Sequence, residues 1–179
     1  MGVTSSFKNA TNAVIKAIAQ EPDAVPETDL LDTLKKEHDE VKGLLAELQH
    51  ASTSAQRKSL VNRIKTALVP HTKAEEKILY DAVIASKDKT AQIDGHEGYL
   101  EHECASKILT RLTQIENATS PEHKAAAKVL KELVEHHIDE EERNVWADAK
   151  KQFSEETREQ MNAAYLAAKQ KVRIPVQSR

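Results

Sequence analysis

His71-Thr72-Lys73-Ala74-Glu75-Glu76-Lys77-Ile78-Leu79-Tyr80 decides the reading of this chain, because it returns as His137-Ile138-Asp139-Glu140-Glu141-Glu142-Arg143-Asn144-Val145-Trp146. Each copy has His, a Glu four residues on, a second Glu, then an apolar–aromatic pair. Residues four apart on an α-helix share a face, one turn above the other. Each copy therefore aims an imidazole and a carboxylate at one point. Two such helices face to face supply two His and two Glu to a shared centre.

The repeat extends further. Glu37-His38 with Leu45 and Leu48 matches Glu101-His102 with Leu109 and Leu112. The chain reads as two copies of one unit, a helix with His followed by a helix with His-x-x-x-Glu. A unit repeated in this way needs its neighbour to close a core.

Bulk properties narrow the class. The 179 residues fit one domain, and aromatics at 3% with few glycines favour helix over strand. A net charge of −3 argues against nucleic acid and anionic membrane surfaces as partners. No apolar run is long enough to span a bilayer, and the N-terminus lacks a signal-peptide core. One cysteine, Cys104, forms no internal disulfide, so a reducing, cytoplasmic setting is expected.

Residues 1–27 are expected to be an appendage, with Phe7, Val14 and Ile18 at helical spacing and a Pro22–Pro26 linker. Met1-Gly2 with Ser6 also fits the degenerate myristoylation pattern. The core domain is placed at residues 28–153. Its first helix runs from about Asp29 to His50, its second to about Ile84, its third over roughly 91–117. Thr53 with Gln56 forms a capping box, and Ser120-Pro121 opens the fourth helix. Pro70 is expected to bend the second helix just before His71. Residues 154–179 form a last helix and a loose tail.

Each of the four core helices carries one His in its apolar stripe. His38, His71, His102 and His137, with Glu75 and Glu141, form a set able to hold two metal ions bridged by the carboxylates. Two buried carboxylates without partners would cost several kcal/mol each, roughly, and a cation removes that cost. His137 is preferred over His136 because Leu130, Leu133 and Val134 point the stripe at 137. His136 then lies near the surface or behind the ligands. Glu76 and Glu142 lie about 140° round from their His; they are either solvated or hydrogen-bonded to a ligand His. His50, His96 and His123 are expected to be exposed, and Cys104 to face away from the centre.

In this pattern of His38, His71-x-x-x-Glu75-Glu76-x-x-Leu79-Tyr80, His102 and His137-x-x-x-Glu141-Glu142-x-x-Val145-Trp146, the chain resembles the hemerythrin-like cation-binding domain. The resemblance covers about residues 29–150. It implies an all-α, up-down-up-down four-helix bundle, here with short N-terminal and C-terminal helical appendages. It implies two non-haem iron ions with an oxo or hydroxo bridge. Members bind or sense oxygen, handle peroxide or nitric oxide, or take part in iron handling and iron–sulfur repair. Two features depart from the oxygen carriers. Gly98 stands where they have a fifth His, and Glu141 follows His137 by four residues rather than five. Gly98 leaves either a gap for a small molecule or a space that Tyr99 fills as a ligand or by packing.

Three functions stay open. The first is binding or sensing of oxygen, peroxide or nitric oxide, with a protein partner reading the change. The second is turnover of peroxide, with Tyr99, Tyr80 or Glu101 as candidate acid or base. The third is a zinc- or manganese-filled structural domain.

Overall fold

The computed structural model describes residues 28–174, and every regular element among them is helical. Helix α1 spans Leu30–His50 and α2 spans Ser54–Glu75. A π-helical turn, Glu76–Tyr80, continues α2 into a short α3, Asp81–Ile84. Helix α4 covers Lys89–Gln114, α5 Pro121–Arg143, α6 Val145–Gln152 and α7 Glu155–Lys171. No helix among the described residues is long and apolar enough to cross a membrane. The expectations for residues 1–27 and for the end of the tail lie outside the described residues.

Local chemistry fixes the ends. Asp29, Asp88, Ser120 and Ser154 each accept a backbone N–H at a helix start, and Pro121 fills the first helical position of α5. Thr53 and Gln56 form the reciprocal capping box expected from the sequence. Pro70 lies within α2, and the helix continues through it. The departure from α geometry comes after Glu75, in the π turn, rather than before His71 as expected.

Two apolar clusters build the core. One gathers Leu30, Leu34, Leu79, Val83, Val145, Met161 and Tyr165, among others. The other gathers Val41, Leu45, Leu48, Ile64, Leu68, Leu109, Leu130 and Val134. The chain passes from the first cluster to the second along α1, back along α2, out again along α4 and back along α5. On each of these helices the His falls at the crossing point. His38 lies between Leu34 and Val41, and His71 between Leu68 and Ala74. His102 lies between Tyr99 and Ala105, and His137 between Val134 and Val145. A polar layer is thus sealed between two apolar ones.

Far from that layer, Arg57 is buried at 1% exposure. Its Nη1 donates to the carbonyls of Leu48 (2.8 Å) and Ala51 (3.2 Å), and its Nη2 lies 3.2 Å from His123 Nδ1. The guanidinium closes the last turn of α1, where backbone carbonyls lack helical partners. His123, expected at the surface, is instead buried here, because Arg57 gives its ring a partner. Burial first, then the neighbouring guanidinium, push the imidazole below its usual range. Arg57→Leu should destabilise the fold by roughly 2–3 kcal/mol in urea unfolding, since two carbonyls lose charge-assisted partners, while metal content per folded chain stays unchanged.

Candidate metal centre

All six candidate ligands are buried, with His137 the most exposed at 7%. Five of them come together in two overlapping groups. One is His38, His71 and Glu75, and the other is Glu75, His102 and His137; within each, donor atoms lie within 4.8 Å of one another. Glu75 belongs to both. Its Oε2 is 3.3 Å from His71 Nε2 and 3.4 Å from His102 Nε2. Glu141 Oε2 is 3.3 Å from His137 Nε2.

A ring of carboxylates orients the imidazoles. Glu37 on α1 faces His71 Nδ1 on α2 at 3.0 Å. Glu76, in the π turn that extends α2, faces His102 Nδ1 on α4 at 3.3 Å. Glu101 on α4 faces His137 Nδ1 on α5 at 2.7 Å, and Glu142 on α5 returns to His38 Nδ1 on α1 at 3.0 Å. Each helix steadies the His of the next, and the last steadies the first. With Nδ1–H donating outward in every case, four Nε2 lone pairs are left to point inward. This is the arrangement by which proteins set the tautomer and basicity of metal-binding His.

The inward atoms fit a cation. His38 Nε2 and Glu75 Oε1 are buried without any hydrogen-bond partner. Such orphans are rare and costly. His102 Nε2 and His137 Nε2 face each other at 3.0 Å, a contact that either a shared proton or a cation held by both lone pairs satisfies. His and carboxylate together suit iron, zinc or manganese.

Without a metal ion, protons take that role unevenly. His71 is raised to about 9 and His137 to about 10: burial opposes the charge, but Glu75 and Glu37 in one case, and Glu101 and Glu141 in the other, outweigh it. Burial dominates at His102 and lowers it to about 4. Glu75 is raised to about 7 by burial and then by Glu141. Glu141 stays below the usual carboxylate range: burial opposes ionisation, but the hydrogen bond from His137 prevails.

Three aromatic side chains close the centre. Tyr80 Oη donates to Glu141 Oε2 at 2.8 Å and sits 3.3 Å from His137 Nε2. Five residues past Glu75, Tyr80 would sit about 140° away on an α-helix, and the wider π turn brings it back. Its ring fills the hollow at Gly98, where a Cβ would stand 2.7 Å from two ring carbons. Tyr80, rather than Tyr99, packs into the space at Gly98. Tyr99 Oη turns away, donating to Asp81 Oδ1 at 2.8 Å and lying 2.9 Å from the Glu76 carbonyl. Trp146, the repeat counterpart of Tyr80, donates Nε1–H to Glu141 Oε1 at 2.7 Å and stacks on His38. The helical break at Asn144 swings it inward, as the π turn does for Tyr80. From α7, Tyr165 Oη donates to Glu37 at 2.6 Å and lies 3.0 Å from His71 Nδ1.

Of the two roles open to them, Glu76 and Glu142 therefore take the hydrogen-bonding one. Glu37 and Glu101 went unassigned as supports for His71 and His137, although each directly precedes a candidate His in the repeat. His136 lies outward beside Glu101 and Glu140, and His50, His96 and Cys104 are exposed.

Fold and site together define a helical cation-binding domain of the His–carboxylate type. A profile described as the hemerythrin HHE cation binding domain matches residues 29–147, and the chain belongs to that family. It is also 27% identical over 162 residues to a DNA nickase of Nostoc sp., a match covering 90% of this chain. The chain spans 45% of that relative's length. No solved structure matches the chain.

The metal-free protein should lose stability with rising pH. His71 and His137 are raised above the ordinary 6.5, so their stabilising charge is complete below about 6.5 and is lost as pH passes about 9 and 10. Thermal unfolding of metal-free protein between pH 6.5 and 10 should show the fall, and metal-loaded protein should not follow it. Gly98→Ala should cost about 1–3 kcal/mol by the same measurement, because a methyl there meets the Tyr80 ring.

Proposed function

We propose that this domain holds two non-haem iron ions as an oxo- or hydroxo-bridged pair and binds or senses a small molecule such as oxygen, peroxide or nitric oxide. His38 and His71 would hold one ion and His102 and His137 the other, with Glu75 in reach of both pairs and Glu141 beside His137. Bound there, iron supplies an electron-exchanging centre with room for an outside ligand. The rest is done by the chain. Glu37, Glu76, Glu101 and Glu142 hold the imidazole tautomers, and the two apolar clusters exclude bulk water. The reversal of direction between the clusters on α1, α2, α4 and α5 supports an up-down-up-down four-helix bundle with α7 added at one end.

The small, buried interior supports a small ligand over a bulky one. The space lined by His38, His71, His102 and His137 is about 10 Å³, enough for roughly one water-sized molecule. A space of that size leaves no room for a bulky organic substrate beside the candidate ligands. A second small space reaches His137 and Glu141 past Asp94, Glu97, Glu101 and Glu140. Its carboxylates repel phosphate, so cleavage of a nucleic-acid strand at this centre is not the reading favoured here, despite the nickase similarity.

Purified protein loaded with ferrous iron in air should hold about two irons per chain and show a near-ultraviolet bridge band. Nitric oxide or peroxide should change that spectrum, and supercoiled plasmid should stay intact. His71→Ala and His137→Ala should each lower iron content by about one ion. A single colourless zinc per chain, or no metal, would overturn the reading.

A further inference from the structure

Three side-chain atoms converge on the Tyr80 oxygen. It lies 2.8 Å from Glu141 Oε2, 3.3 Å from His137 Nε2 and 3.4 Å from Glu75 Oε2. Each of the three belongs to a candidate metal ligand, so the phenol oxygen sits among the inward-facing donor atoms of the centre.

Coordination explains all three. Donor atoms at about 2.0–2.2 Å from one ion stand about 3 Å apart along the edges of its coordination shell. His102 and His137 Nε2 are 3.0 Å apart, His137 Nε2 and Glu141 Oε2 3.3 Å, and His102 Nε2 and Glu75 Oε2 3.4 Å. The Tyr80 contacts of 2.8–3.4 Å belong to the same set of edges.

We propose that Tyr80 is a seventh protein ligand, its phenolic oxygen bound to the ion held by His102 and His137. This rests on the two-iron reading above. On binding ferric iron the phenol O–H bond breaks, its proton leaves to solvent, and an oxygen lone pair forms the new bond. No electron is transferred.

The surroundings are built for this. The π turn rotates Tyr80 inward, and Gly98 makes room for its ring. The counterpart Trp146 cannot coordinate, because indole Nε1 carries a hydrogen and no free lone pair, and that hydrogen goes to Glu141. The pair of ions is therefore unequal. Tyr80 closes the His102–His137 side.

Visible absorption and resonance Raman spectra of the diferric protein test the assignment, with iron content measured on the same samples. Protein with two irons should show a ferric–phenolate charge-transfer band and enhanced phenolate ring vibrations. Tyr80→Phe keeps the ring in the Gly98 hollow and should lose both signals. It should also release one iron to a chelator roughly tenfold faster. The chain has three tyrosines, so the Tyr99→Phe, Tyr165→Phe double variant leaves Tyr80 alone. That variant should retain both signals, and it decides the matter even if Tyr80→Phe does not fold. Two ferric irons with no phenolate signature, or a signature lost with Tyr99 or Tyr165, would overturn the proposal and leave the two-iron reading standing. Fewer than two irons in the unaltered protein would overturn both.

Discussion

Everything at the centre depends on a carboxylate holding each imidazole by its outer nitrogen. The four pairs form a closed circuit: Glu37 to His71, Glu76 to His102, Glu101 to His137, Glu142 to His38. Each link crosses from one helix to the next. The circuit therefore does two jobs at once. It fixes which nitrogen faces inward, and it sets the mutual rotation of four helices whose apolar contacts alone would tolerate some slip. The cost is a layer of charge inside the protein. Enclosing it between two apolar clusters makes each interaction stronger and each unmet one more expensive.

Much of this was legible in the sequence. Helical periodicity placed one His in each stripe, and the His-x-x-x-Glu spacing selected Glu75 and Glu141 over the acidic residues beside them. His137 over His136 followed from Leu130, Leu133 and Val134. What escaped was whatever depends on a departure from ideal helix geometry. Tyr80 and Trp146 sit five residues past their Glu, which on a regular helix points them elsewhere. The π turn and the break at Asn144 cannot be read from a regular period. Arg57 and His123 escaped for a different reason. Each alone looks like a surface residue, and only their meeting across 66 positions makes burial tolerable. Pro70 stays within a continuous helix, and the departure lies at Glu76–Tyr80 instead.

The C-terminal helix is tied to the same circuit. Tyr165 and Lys169 both reach Glu37, at 2.6 Å each, so α7 touches the support of His71 directly. Among the described pairs, Glu37–His71 is the one that a helix outside the four core helices completes. Any shift in that imidazole bears on α7 through two hydrogen bonds rather than through a long chain of contacts. A change at the centre thus has a short mechanical path to the exterior.

The chain has a single tryptophan, and it sits at the centre, stacked on His38 and hydrogen-bonded to Glu141. Intrinsic emission from this protein therefore comes from one known place. Redox-active, light-absorbing iron beside it would darken it by electron or energy transfer, and a colourless, redox-inert substitute such as zinc would not. The molecule carries its own optical reporter of what occupies the site, with no label to attach and no second indole to confuse the signal.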